Sequence, residues 1–316
     1  MKTDLQAFPH SFGFKRYYTQ DYYLKKTFGQ KVFKVPVNAG FTCPNRDGSK
    51  GVGGCTYCSE MGSGDFAGDV SYSIQEQFRS VKSKLHSKWP DAAYVVYFQA
   101  FTNTYGSTQR VRAMLESAIA LERVVGISIS TRPDCIDEAM ADLLQEFSHR
   151  IYLEVELGLQ TIHQHTALRI NRCHSLAEFE AGYMLLKERG IKICIHIING
   201  LPGESKEMML DTASYVGSLY PHSVKIHMLH LIKGSRMTLE WEEVPFHLLD
   251  LEEYVEIVCD QIELLPPDTI IQRVTGDGDK TSLVAPSWTL KKFVVINTID
   301  KELLRRNSFQ GRNFPT

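Results

Sequence analysis

The stretch IYLEVEL at residues 151–157 sets Ile151, Leu153, Val155 and Leu157 on one side of an extended chain and Glu154 and Glu156 on the other. A strand buried on both faces, as in an open doubly wound sheet, reads instead as a nearly continuous apolar run. The same two-sidedness recurs outward from this point. In 191–198, Ile191, Ile193, Ile195 and Ile197 oppose Cys194 and His196; in 125–130, Ile127 and Ile129 oppose Ser128 and Ser130; in 223–230, Val224, Ile226 and Met228 oppose Lys225 and His227. Strands near 32–36, 93–98, 125–130, 151–157, 191–198 and 223–230 alternate with helical periodicity near 73–88, 107–121, 136–147, 174–189, 204–217 and 248–264. That alternation, uninterrupted by repeats or Pro/Gly/Ser linkers, predicts an α/β fold with parallel strands. Polar faces on successive parallel strands must point at something, and a half-open lumen holding a polar ligand accounts for Glu154, Glu156, His196, Lys225 and His227 together. The expected architecture is therefore a partial, half-open parallel (β/α)6 barrel of TIM-like plan. Mutual ion pairing of the same residues is the alternative account of the pattern. Glu154, His196, Lys225 and His227 are the candidates for handling a substrate. The barrel is expected over 31–265, between an aromatic and basic extension at 1–30 and a C-terminal extension at 266–316 that closes it.

A chain of 316 residues with 43% hydrophobic and 23% charged residues has room for a sizeable core. No signal-peptide-like run opens it, and no segment reaches the roughly 18 uninterrupted apolar residues that a membrane helix requires. Seven cysteines, odd in number and scattered, fit a reducing compartment better than a disulfide framework, so a cytoplasmic location is expected. The formal charge of -2 hides local basic clusters. Lys15, Arg16, Lys25, Lys26, Lys31 and Lys34 are interleaved with Phe12, Phe14, Tyr17, Tyr18, Tyr22, Tyr23, Phe28 and Phe33, a mixture suited to single-stranded nucleic acid. Lys291, Lys292, Lys301, Arg305, Arg306 and Arg312 form a second group. A packed terminal segment and an amphipathic closing helix with solvated cations are the plainer readings.

Chemistry concentrates in FTCPNRDGSKGVGGCTYC, residues 41–58, directly after the first strand, where a barrel carries its site. Thiolates are the usual ligands of iron–sulfur clusters, and Cys43, Cys55 and Cys58 supply three on one glycine-rich loop. The remaining cysteines, Cys135, Cys173, Cys194 and Cys259, fall at unrelated places. Three ligands leave one iron of a cube open to chelate a small molecule. Structural zinc within a nucleic-acid-binding module competes with this reading, although a zinc ribbon normally shows a second Cys or His pair at short spacing.

With ISTRPDCI (129–136), LEVELGLQT (153–161), IINGLPGE (197–204) and VTGDGDKTSLVAPSW (274–288), this loop resembles the radical S-adenosylmethionine (SAM) superfamily, in its YhcC/YtqA-like subgroup related to Elp3 and coproporphyrinogen-dehydrogenase-type enzymes. The usual C-x3-C-x2-C spacing is replaced here by eleven residues between Cys43 and Cys55, as that subgroup has it. The resemblance covers about residues 8 to 311. It implies a [4Fe–4S] cluster on Cys43, Cys55 and Cys58, and SAM on the open iron, with Tyr57 near its adenine. Ser130, Arg132, Asp134, Glu156, Gln160 and Gly200 are implied pocket residues. FQAFTNTY replaces the family's glycine-rich motif, whose place opposite the methionine amino group falls to Gln99 to Tyr105, with Gln99 counted among the cofactor-binding residues. A reductant such as flavodoxin or ferredoxin is implied, and a tRNA substrate whose wobble uridine is converted from carboxymethylaminomethyl to aminomethyl. A radical enzyme for a small metabolite is the alternative within catalysis.

Overall fold

The structure, a computed structural model, describes residues 15–60, 62, 64, 67–86 and 88–315. Phe12 and Phe14 lie outside the described residues. The chain opens with α1 (Gln20–Phe28) and β1 (Val32–Val37), then runs α2 (Ile74–His86), β2 (Ala93–Phe98), α3 (Thr108–Ile119), β3 (Val124–Thr131), α4 (Glu138–Ser148) and β4 (Tyr152–Gln160). It continues through α5 (Gln164–Arg169), α6 (Leu176–Glu188), β5 (Lys192–Asn199), α7 (Lys206–Ser218), β6 (Ser223–Met228) and β7 (Leu231–Ile232). Helices α8 (Arg236–Glu243) and α9 (Leu251–Leu264), strands β8 (Ile270–Arg273) and β9 (Leu283–Ala285) and helix α10 (Lys292–Arg305) complete it.

Seven strands form one sheet in the order β1-β2-β3-β4-β5-β6-β8, the parallel half-barrel expected, with one strand more than the six counted from the sequence. The addition is β8, which pairs parallel with β6. Its four residues, IIQR, follow Pro266 and Pro267 and are too few to show a period. The separate pair β7 and β9 is antiparallel.

Two compact units are distinguished. One comprises Leu24–Gly158 and Asn171–Cys194; the other joins the segment ending at Tyr23, Leu159–Ile170 and the chain from Ile195 onward. In the first, the helix-facing sides of the strands supply Val35, Val37, Val96, Ile127, Ile129, Leu153 and Val155, all buried. Each such side chain contributes about 1.5–3 kcal/mol on leaving water. Phe78 of α2 packs edge-on against Tyr94 at 5.4 Å, and Leu143, Leu144 and Phe147 of α4 extend the same core. Gly126 faces Tyr152 in register, and a Cβ there would lie 2.8 Å from the Tyr152 ring, so the bare backbone lets β3 and β4 approach. In the second unit, Ile195, Ile197, Val224, Ile226, Val258, Ile262, Ile299 and Leu303 are buried.

Helix starts fix where the strand-to-helix loops end. Ser107, Asp137, Ser175, Ser205, Ser235 and Asp250 each accept a backbone N–H at the first turn of the helix that follows, and Ser175–Glu178 and Asp250–Glu253 are reciprocal capping boxes. The loops at the C-terminal strand ends are thereby anchored on both sides.

Candidate active site

After Val37 the chain turns into the cysteine loop, which its own backbone ties together. Arg46 N–H donates to the Cys43 carbonyl at 2.8 Å, Lys50 and Gly51 both donate to Pro44, and Gly54 donates to Asn45 at 2.7 Å. Cys58 N–H reaches the Cys55 carbonyl at 3.0 Å, so the chain reverses between them and their thiols hydrogen-bond. That bond is the main reason the Cys55 pKa falls to about 6; burial opposes it, and the Arg132 charge reinforces it. Cys55 therefore favours the thiolate, the form in which sulfur binds metal. Beside it, Tyr57 is held well above the usual phenol range, first by burial and then by the Cys55 charge.

A cation stands behind the loop. Burial works against the Arg132 charge, but Asp134, and after it Cys43 and Cys55, outweigh burial and raise its pKa. Arg132 grips Asp134 with two bonds of 2.9 Å and donates to the carbonyls of Arg172 at 2.8 Å and Cys173 at 3.0 Å. Arg172 in turn donates to the His174 carbonyl, and Asn171 donates to the carbonyls of Val52 at 3.1 Å and Gly54 at 2.7 Å. Residues 171–174 thus form a buttress for the loop. His174, its pKa pushed down to about 4 by burial and then by Arg172, stays neutral there. The half-buried Cys135 thiol is raised to about 12 by desolvation.

This donor set fits an iron–sulfur cluster: two cysteines that act on one buried guanidinium, a third whose thiol pairs with one of them, and a loop closed by its own backbone hydrogen bonds. Among the described residues no three His, Cys, Asp or Glu close on one point as ligands of a single ion do. In a cube each thiolate takes its own iron, which asks for a wider ring.

Deeper in the same unit, Ser128 stands opposite Glu154 and Ser130 opposite Glu156 in register. Lys34 Nζ reaches Glu154 at 3.1 Å, Glu156 at 2.7 Å and Ser128 at 3.2 Å, and Ser128 Oγ donates to Glu156 at 2.6 Å. Lys34, grouped from the sequence with the nucleic-acid-binding cations, is instead turned inward. Its alternation with Val35 and Val37 carried the signal. Lys15 pairs with Asp300 at 2.5 Å, and the buried Arg16 donates to Asn307 and Ser308, so these two also belong to the fold. At the other end, Lys292 pairs with Asp277, Arg305 with Glu302, and Arg306 with Asp260 and Glu302.

Gln99 directly follows β2 and donates its N–H to Val37, and the Ser130 carbonyl accepts the backbone and side-chain N–H of Asn103 at 3.2 and 3.0 Å. In the second unit, Gln160 ends β4 at φ +68° and Gly200 follows β5 at φ +86°. Thr161 donates to Glu204 at 2.5 Å, whose pKa is nonetheless raised by burial. The His196 and His227 rings lie 5.5 Å apart, and Lys225 stands opposite Arg273 in register. Burial, then the Arg273 charge, pushes His227 well below its usual pKa. Sequence reading missed Asn45 and Asn171, and nothing local signals a partnership between residues 126 positions apart.

A parallel half-barrel with a three-cysteine loop after its first strand is the plan of an enzyme working at the C-terminal strand ends. The chain belongs to the radical SAM superfamily: residues 41–216 match that family, and residues 221–305 match the radical SAM C-terminal domain. It is 48% identical over 307 residues to the protein YtqA of Bacillus subtilis (strain 168), covering 97% of this chain and 95% of that one. It is 29% identical over 169 residues to a tRNA uridine(34) acetyltransferase of Methanocaldococcus infernus, covering 52% of this chain and 31% of the other. The solved structure of Methanocaldococcus infernus Elp3 has the same fold, with a TM-score of 0.67 at 19% identity over 88% of this chain and 64% of that one. The cofactors of this family are a [4Fe–4S] cluster and SAM, and its chemistry needs a reductant. No helix among the described residues is long and apolar enough to cross a membrane.

Proposed function

We propose that this radical SAM enzyme modifies tRNA at the wobble uridine, converting a carboxymethylaminomethyl group to aminomethyl, with Cys43, Cys55 and Cys58 as the cluster ligands. The observation that carries the choice of substrate is the similarity, over 169 residues, to an enzyme whose name specifies tRNA uridine 34. When bound, the reduced cluster supplies one-electron cleavage of SAM to methionine and a radical that takes hydrogen from the substrate. The protein's own share is placement and exclusion of water. The loop presents three cysteine sulfurs on a backbone closed by its own hydrogen bonds, and the Arg132 guanidinium interacts with Cys43 and Cys55. Tyr57 gives the loop an aromatic face for the adenine. Ser130, Asp134, Glu156, Gln99, Gln160 and Gly200 are the residues assigned to SAM in this reading, and Glu154, His196, Lys225 and His227 are left for the substrate. The imidazole of His227, held neutral by burial, offers a hydrogen bond rather than a charge to a carboxylate. Terminal cations support this reading less than the relatives do, since Lys15, Lys292, Arg305 and Arg306 pair with carboxylates.

The test is anaerobic incubation of reconstituted protein with dithionite, SAM and bulk tRNA from a strain lacking the gene. 5′-Deoxyadenosine is expected to form only when tRNA is present, with a matching change in wobble nucleosides by mass spectrometry. Formation that ignores tRNA, with an unchanged nucleoside profile, overturns the substrate and leaves the small-metabolite reading.

A further inference from the structure

Asn45 is wholly buried two residues after the first cysteine, and its amide has a defined orientation. Nδ2 lies 2.5 Å from the Asn171 carbonyl and 3.6 Å from Cys55 Sγ. Only a donor can face a carbonyl oxygen, so this atom is the nitrogen, and its second hydrogen points to the sulfur. Oδ1 has no hydrogen-bond partner among the described residues and rests against Gly51, where a Cβ would come within 2.2 Å of it. A buried acceptor left unpaired is unfavourable. The amide cannot relieve this by turning over, because its oxygen would then face the Asn171 carbonyl.

We infer that Asn45 is a positioning residue for the cluster, whose N–H···S bond to Cys55 tunes the cluster while its second N–H ties the loop to the 171–174 segment. This rests on the reading of Cys55 as a ligand. The buttress is itself braced: Asn171 and Cys173 stand at φ +51° and +55°, unusual for residues with side chains, and Arg132 holds the carbonyls of Arg172 and Cys173. Asn171 closes the arrangement by donating to Val52 and Gly54 and accepting from the Cys173 thiol at 3.2 Å. Neutral donors aimed at a cluster sulfur stabilise the more negative, reduced state over the oxidised one and raise the reduction potential.

The experiment is an EPR-monitored redox titration of the reconstituted full chain as wild type, Asn45→Asp, Asn45→Ala and Gly51→Ala, with far-UV circular dichroism confirming the fold. The midpoint potential is expected to move negative in both Asn45 variants. In Gly51→Ala, which keeps the donor but pushes on Oδ1, a smaller shift of the same sign is expected. An unchanged potential overturns the inference; should the Asn45 variants take up no cluster, the Gly51→Ala potential decides in the same way. Wild type that binds no cluster, or Cys55→Ala that binds the full complement, overturns instead the assignment of Cys55 as a ligand.

Discussion

Lys34 shares its ammonium between Glu154 and Glu156, whose side chains are 1% and 0% exposed, while Ser128 bridges the lysine to Glu156. Breaking a buried ion pair from one side is far costlier than replacing the whole set with apolar groups, because it strands charge away from water. Lys34→Met is therefore expected to lower stability by about 3–5 kcal/mol at neutral pH in urea titrations. Lys34→Met combined with Glu154→Gln and Glu156→Gln should recover most of that loss, since amides carry no charge to strand. A triple variant as unstable as the single one contradicts the pairing. The network also answers part of the question posed by the polar inner strand faces: in this unit they pair with one another.

At the scale of an element, α6 shows how a helix start serves the site. Ser175 and Glu178 cap each other across its first turn, and Glu178 also meets Lys50 of the cysteine loop at 2.9 Å. Loss of the cap in Ser175→Ala should cost about 1 kcal/mol. The Glu178 pKa is depressed from 4.5 to about 2, first by the Ser175 backbone N–H and then by Lys50. A carboxyl whose pKa is lower in the folded than in the unfolded state adds stability that is complete above the unfolded value and is lost as pH falls toward the folded one. Wild type should thus lose stability between about pH 5 and pH 3 more steeply than Glu178→Gln, measured as urea midpoints across that range. Since Glu178 is partly exposed, salt should shrink the Lys50 share and leave the cap. Parallel acid profiles for the two proteins rule this out.

For the molecule as a whole, a cluster that binds the folded chain and not the unfolded one must raise its melting temperature by mass action. Reconstitution under anaerobic conditions is expected to raise the melting temperature of wild type, and Cys43→Ala, Cys55→Ala and Cys58→Ala should each blunt the rise. Equal stabilisation of all four by iron and sulfide would mean that the metal sits elsewhere. With Lys15, Lys292, Arg305 and Arg306 paired to carboxylates, tRNA binding should be selective and retained over competing DNA at physiological salt.

Periodicity alone determined the order of six strands, from 32–36 to 223–230, and of the six helices that alternate with them, because alternation at 151–157 and 191–198 records directly which side of each strand meets the helices. Spacing and residue type likewise made the three-cysteine loop legible, since its chemistry lies within sixteen consecutive residues, 43–58. The seventh strand was not legible: Ile270–Arg273 is too short to show a period and becomes a strand only by pairing with β6. Nor did the sequence reveal that the partners of Lys34 are Glu154 and Glu156, or that Asn45 reaches Asn171 across 126 positions. Those contacts join segments whose nearness is created by folding. A local pattern states which face of an element is apolar, and only the packed tertiary structure decides which distant polar group that face's opposite side will meet.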